Sequence, residues 1–171
     1  AALVGNLLDS SRLAAGVVRP ELREVYLEEA VPRALVGISH GNTGLRAELD
    51  RVKVEVDDTV VLADSGLLER VLANVVDNAV RYAHDGPVRV TAGRIGKRVL
   101  IAVVDVGPGI ARGAETELFA PFQRLGDQDT STGVGLGLSV ARGFVEAMGG
   151  TISATDTPGG GLTVEIDLAA P

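Results

Sequence analysis

Hydrophobic periodicity divides the chain into a short opening helix and a longer stretch in which strands and helices interleave. Leu3, Val4, Leu7 and Leu8 recur at helical spacing and Asp9, Ser10 and Ser11 follow, so Ala1 to about Gly16 reads as the end of a helix. No start signal precedes it, as expected of a cut through a longer helix. Gly16 and Pro20 then punctuate the chain. Val25-Tyr26-Leu27 is predicted as a strand, and Glu28 to Ile38 as a helix with Pro32 in its first turns. Val52 to Val56 alternates in the manner of a half-buried strand, and Val60-Val61-Leu62 forms a second, shorter one. Asp64 or Ser65 caps a strong helix from Gly66 to Ala83, which Gly86-Pro87 closes. Val88 to Arg94 and Arg98 to Val104 pair around Gly96, and a glycine-punctuated loop covers Gly107 to Gly133. A helix from about Leu136 to Met148 follows. Strands near Thr151–Thr155 and Leu162–Leu168 close the chain around Thr157-Pro158-Gly159-Gly160-Gly161.

Composition narrows the function classes. The 171 residues suit one domain with a short appendage, and 46% hydrophobic residues argue for a packed core rather than disorder. A net charge of −7 disfavours a general nucleic-acid-binding role, which needs clustered Lys and Arg. No apolar run approaches the ~20 residues of a membrane span, and no signal-peptide pattern opens the chain. Cysteine is absent, so disulfides, thiol catalysis and Cys-ligated metals are excluded; His40 and His84 are too few for a His-based metal cluster. The 22 glycines are bunched, and that bunching is the first functional clue.

Four places carry candidate chemistry. On the Gly66–Ala83 helix, Asn74, Asn78 and Arg81-Tyr82 share one face beside an apolar stripe. Asn offers a neutral oxygen to Mg²⁺ and Arg a fork to phosphate oxygens, although the same residues also make an ordinary solvated face. Asp105-Val106-Gly107-Pro108-Gly109-Ile110 follows an apolar strand. A carboxylate there, with glycines that admit a ligand to the backbone, suits a purine amino group; a capped β-turn reads the same way. Gly133-Val134-Gly135-Leu136-Gly137-Leu138 opens a helix, where free backbone N–H groups and the helix dipole favour an anion. It is neither a Walker A loop, since no Gly-Lys-Ser/Thr occurs, nor a dinucleotide fingerprint, whose third glycine would fall at Leu138. A flexible hinge is the plainer alternative. Phe119-Ala120-Pro121-Phe122-Gln123-Arg124 lies inside the long loop, as a lid edge or as a small hydrophobic plug.

The order of these boxes, ending in Gly-Gly-Leu-Thr before a strand, resembles the ATP-binding domain of sensor histidine kinases. Their superfamily, the GHKL or Bergerat-fold proteins, also includes type II topoisomerases, heat-shock chaperones and mismatch-repair ATPases. The likeness covers about Leu22 to Leu168. By it, Asn78 matches the Mg²⁺-binding asparagine with Asn74 one turn earlier, and Arg81 stands where the family usually has Lys, with Tyr82 its neighbouring aromatic. Asp105 matches the adenine-binding aspartate, and Gly107 and Gly109 the glycines beneath the base, with Ile110 beside them. Phe119 and Phe122 match the lid phenylalanines and Arg124 the lid cation. Gly133, Gly135 and Gly137 match the phosphate loop, which carries Val134, Leu136 and Leu138 with it, and Thr163 matches a threonine near adenine.

The resemblance implies a two-layer α/β sandwich: a mixed sheet, helices on one face and an ATP lid. Residues 1–16 look like the end of the second helix of a dimerisation hairpin, and residues 17–171 like the catalytic domain. Pro121 to Asp127 and Thr157 to Thr163 look like the potassium-responsive Kdp sensor type. The implied activity is transfer of the γ-phosphoryl group of Mg²⁺-ATP to a histidine on the hairpin. Asn78 and Arg124 would serve the catalytic step. The implied partners are ATP, the hairpin of a homodimer and a cognate response regulator, in the cytoplasm, with no nucleic acid and no direct membrane contact. One departure stands out: no His-Glu/Asp pair is present, His40 is placed in a loop and His84 at a helix end, so the phosphoacceptor is expected outside the chain. Two alternatives remain. An ATP-driven clamp would need a water-activating Glu where Asn74 stands, and a nucleotide-binding module would lack transfer activity.

Overall fold

The computed structural model describes residues 2–41, 47–122 and 135–171. Four helices, α1 (Ala2–Ala14), α2 (Leu27–Gly41), α3 (Ser65–Tyr82) and α4 (Gly137–Ala147), alternate with seven strands. The strands are β1 (Arg23–Tyr26), β2 (Val52–Glu55), β3 (Val60–Ala63), β4 (Val88–Ile95), β5 (Arg98–Val104), β6 (Thr151–Asp156) and β7 (Leu162–Ala169). Five of them form one sheet in the order β2-β4-β5-β7-β6, and β1 and β3 pair separately. The β2–β4 pairing is parallel and the rest of the large sheet is antiparallel, so the sheet is mixed, as expected.

Strand alternation decides which face is buried. Val88 and Val90 of β4, Val99, Ile101 and Val103 of β5, and Leu162, Val164, Ile166 and Leu168 of β7 all point to one side and are buried. Against them pack Leu68, Leu72, Val75 and Val76 of α3 and Val140, Phe144 and Val145 of α4. The opposite face carries Lys53, Glu55, Arg89, Glu165 and Asp167, with ion pairs Arg89–Glu55 at 2.7 Å and Arg98–Asp167 at 2.6 Å across neighbouring strands. Two layers with helices on one side follow directly.

Strands β2 and β3 are adjacent in sequence but belong to different sheets. Residues 52–56 and 60–62 look alike in alternation, yet β2 joins the edge of the large sheet and β3 runs antiparallel to β1. The first strand starts two residues before its predicted span and ends one residue before that span does, because Leu27 starts α2 as a fully buried side chain and its N–H donates to Thr59 O at 3.0 Å. Helix α2 also runs farther than expected. His40, predicted in a loop, lies in the last turn of α2, where its Nδ1 and the Ser39 hydroxyl both meet Val36 O at 2.8 Å.

Asp64 performs two tasks at the start of α3. Its Oδ1 accepts from Leu67 N–H at 3.1 Å, an N-cap, while Oδ2 accepts from Glu21 N–H at 2.9 Å and ties down the segment after α1. Beyond the other end, His84 adopts φ +52° and reverses the chain just after the helix. No helix among the described residues is long and apolar enough to cross a membrane.

Helix α1 docks on the helical layer. Leu13 covers Gly143 of α4 so closely that a Cβ there would displace it, and Asp9 meets Arg70 of α3 at 2.7 Å. Asp9 is only 1% exposed, and burial pushes its carboxyl above the usual range despite Arg70 and Arg12. Removing the cation would leave a buried, uncompensated charge. Arg70 itself is half-exposed, which limits the loss to about 1–3 kcal/mol of docking free energy. Arg70→Ala should therefore speed amide hydrogen exchange in α1, and adding Asp9→Asn should slow it again. Unchanged exchange in Arg70→Ala would show that the pair does not hold α1.

Candidate functional site

The end of β5 delivers Asp105 into the interior beside the start of β7. Asp105 is 2% exposed, and its Oδ1 accepts from Gly107 N–H at 2.9 Å and from Leu162 N–H at 3.0 Å. Asp105 N–H in turn donates to Leu162 O at 2.9 Å, so the carboxylate is locked to the sheet from both sides. Both bonds fall on Oδ1, and Oδ2 receives none among the described residues. Burial pushes this carboxyl above its usual range, and the two N–H bonds pull it back only in part. The result is a fixed acceptor with one oxygen to spare.

Two glycines make this arrangement possible. At Gly161, with φ +106°, a Cβ would strike the Asp105 carbonyl, and at Gly107 a Cβ would strike the Tyr82 carbonyl. Only glycine lets the end of α3, the turn after β5 and the start of β7 converge here. Ile110 is held by Asp156 at the end of β6, whose Oδ1 accepts from Ile110 N–H at 3.3 Å, and a Cβ on Gly109 would crowd the same oxygen. Thr163 lies opposite Val104 in the β5–β7 ladder, and its hydroxyl meets that of Thr157 at 2.9 Å.

Helix α3 supplies the polar stripe. Asn74, Asp77, Asn78 and Arg81 are all partly buried, and Tyr82 is exposed beside them. Arg81 is not a free fork: its Nε donates to Asp77 Oδ2 at 3.0 Å. The Asp77 carboxyl is pushed upward by burial, with Arg81 opposing and Glu48 adding to the rise. Its other oxygen, Oδ1, is buried without a partner.

The start of α4 lies over this stripe, since a Cβ on Gly137 would come 3.6 Å from Asn74 Oδ1. No side chain caps α4 at Leu136, which leaves its first N–H groups available to an anion. Leu136 and Leu138 themselves are buried, so their side chains belong to the core and only their backbone can face a ligand. Gly135 has φ +72°, and its carbonyl accepts from Phe122 N–H at 3.0 Å. The two phenylalanines expected at one lid edge diverge: Phe119 is buried in the core, whereas Phe122 is 63% exposed with φ +61°. Arg124, Gly133 and Val134 lie outside the described residues.

The structure therefore sets Asp105 and Gly107 against Tyr82 at the end of α3, and Gly137 at the start of α4 against Asn74 one turn before Asn78 on the same helix. No group of three His, Asp or Glu side chains among the described residues is placed to hold a metal ion. A single neutral amide oxygen, as at Asn78, fits a Mg²⁺ that keeps its waters and shares a ligand's phosphates. Asp77 and Asp156 were not singled out by sequence reasoning. Asp77 carried one legible signal, its four-residue spacing to Arg81; Asp156 carried none, because its partner is distant in the chain.

Residues 63–171 match the family described as histidine kinase-, DNA gyrase B-, and HSP90-like ATPase. The chain belongs to that family. It is 74% identical over 171 residues to sensor protein KdpD of Mycobacterium tuberculosis strain H37Rv, covering 99% of this chain and 20% of that protein. It is 35% identical to sensor protein KdpD of Escherichia coli K12, over 97% of this chain and 18% of that one. The chain thus spans about a fifth of the length of these relatives. Acinetobacter baumannii histidine kinase AdeS superposes with a TM-score of 0.77 at 25% identity, over 99% of this chain and 77% of that chain. Full-length ShkA in complex with AMPPNP gives 0.77 at 27% identity, over 99% of this chain and 36% of that one. The fold class and the resemblance to sensor histidine kinases of the Kdp type are borne out.

Replacement of Asp105 separates its two duties. Asn keeps an oxygen for the Gly107 and Leu162 N–H groups, whereas Ala strands both and should cost about 1–3 kcal/mol in denaturant unfolding. A carboxyl raised on folding binds protons more readily in the native state, so its contribution to stability falls as pH rises above the ordinary carboxylate value. The stability of the wild type relative to Asp105→Asn should therefore decline as pH rises above the ordinary carboxylate value and level off once Asp105 is ionised in the folded state as well. A difference that stays flat with pH would show that burial does not perturb Asp105.

Proposed function

We propose that this chain is the Mg²⁺-ATP-binding catalytic domain of a two-component sensor histidine kinase. The observation that carries the reading is the buried Asp105 carboxylate with one oxygen spare, beside the end of the helix α3 that carries Asn78 and meets the uncapped start of α4. Asp105 accepts a hydrogen bond from the adenine amino group. Gly107, Gly109 and Ile110 let the base approach the backbone, with Thr163 at its edge. Tyr82 and Phe122 present exposed rings at the rim. The N–H groups from Gly135 to Leu138, continuing the Gly133-Val134 segment, receive phosphate oxygens at the positive end of α4. Arg81 and Arg124 add cationic contacts to the phosphates, and Asn78 supplies an oxygen ligand to the metal, with Asn74 one turn away. Bound there, Mg²⁺ neutralises phosphate charge and orients the β- and γ-phosphates. The remaining task of the protein is positioning, because the nucleophile comes from elsewhere. The similar structure of ShkA in complex with AMPPNP supports ATP as the ligand class.

Residues 1–16 are read as the end of a dimerisation-hairpin helix, and residues 17–171 as the catalytic domain. In the whole protein, a homodimer presents the acceptor histidine on that hairpin and passes the phosphoryl group to a response regulator, on the cytoplasmic side of a membrane-anchored sensor responsive to potassium. The clamp-ATPase reading is disfavoured by Asn74, which offers no base to activate water.

Asn78→Ala should lower affinity for ATP with Mg²⁺ while changing metal-free nucleotide binding less, as calorimetric titration would read. Equal losses with and without Mg²⁺ would remove Asn78 from the metal. The 171-residue chain should bind Mg²⁺-ATP yet acquire no acid-labile phosphate. His40 is spent on a helix carbonyl, and His84 follows a helix end. Radiolabel on this chain that vanishes in His40→Ala or His84→Ala would place the acceptor within it.

A further inference from the structure

Arg81 and Asp77 form an (i, i+4) pair on α3, a kind that on an open surface contributes little. This pair is different in one respect. The second Asp77 oxygen is buried with no partner among the described residues, whereas at an ordinary surface pair it would be solvated. Such an oxygen is costly to keep, and the helix turn would be better served by an apolar residue unless the carboxylate does something for Arg81. The bond it makes is to Nε, the inner nitrogen of the guanidinium. Both Nη groups are left without a hydrogen bond among the described residues. A guanidinium gripped at Nε has its torsions fixed and its outer edge free for bidentate contact with a phosphate. Arg81 shares the stripe with Asn78 and, two turns along the helix, with Asn74, which lies beside Gly137 at the uncapped start of α4.

We propose that Asp77 is the positioning residue for Arg81, holding its guanidinium by Nε so that the free Nη edge meets the phosphates of the nucleotide. This inference rests on the ATP-site reading above. Without Asp77, the Arg81 side chain samples several rotamers and each phosphate contact must first order it.

The test compares affinities for ATP and adenosine by amide NMR titration in the presence of Mg²⁺. Adenosine reports the base pocket and the integrity of the fold. Arg81→Ala should lower ATP affinity about tenfold and leave adenosine affinity unchanged. Asp77→Ala should do the same, Asp77→Asn should lose less because it retains an acceptor for Nε, and Asp77→Ala should add nothing in the Arg81→Ala background. A wild-type ATP-to-adenosine ratio in Asp77→Ala, with the ratio reduced in Arg81→Ala, would overturn the positioning role alone. Parallel loss of both ligands in Asp77→Ala would reduce it to a structural residue and also overturn the proposal. An unchanged ratio in Arg81→Ala would instead remove Arg81 from the phosphates, and the proposal would fall with that part of the site.

Discussion

The site depends on one buried carboxylate. Asp105 leaves the central strand β5 and is held by N–H groups of Gly107 and Leu162, while its own N–H returns to Leu162 O. These bonds lock the turn after β5 to the start of β7. A buried, partly compensated charge is unfavourable for stability, and the fold retains it at the point where Gly107 and Gly161 pack directly against neighbouring backbone. The surrounding geometry follows from that. Gly161 must take a positive φ to pass the Asp105 carbonyl, and Gly107 must lack a side chain to pass the Tyr82 carbonyl at the end of α3. The end of α3 and the central strands are thereby brought into direct contact.

The second constraint is the contact between α3 and α4. Their apolar faces fill the helical layer over the sheet, and this fixes where their polar ends lie. Leu136 and Leu138 illustrate the division. Their side chains anchor the beginning of α4 in the core, so that the uncapped N–H groups between them are presented over the polar stripe of α3. The side chains of Leu136 and Leu138 thus serve the core, and the backbone between them is left for the proposed phosphate contacts.

Much of this was legible in the sequence, for identifiable reasons. The amphipathic α3, the β4–β5 pairing around Gly96 and the two closing strands carry strong local periodicity, and the structure reproduces them to within a residue or two. Asp105 and its glycines were legible because their spacing is a local requirement. What the sequence hid depends on distant partners. That β2 and β3 separate into two sheets is decided by β4 and β1, not by the short turn between them. The extra turn of α2, which takes in His40, is sealed by bonds to Val36 that no periodicity signals. The divergence of Phe119 and Phe122 turns on a positive φ at Phe122 that its residue type gives no reason to expect. The bond from Arg81 to Asp77 has a local signal in the four-residue spacing, but Arg81 taken alone reads as a free cation.

The central claim is that the spare oxygen of Asp105 reads the amino group of adenine. The most direct measurement compares ATP with the triphosphate of purine riboside, which lacks only that amino group, and with GTP, which presents a carbonyl in its place. In the wild type, ATP should bind at least about tenfold tighter than either, since each alternative leaves a buried acceptor unpaired or opposes two acceptors. In Asp105→Asn the gap should narrow, while the fold survives because Asn still accepts from Gly107 and Leu162. Equal affinity of the wild type for all three nucleotides would contradict the claim.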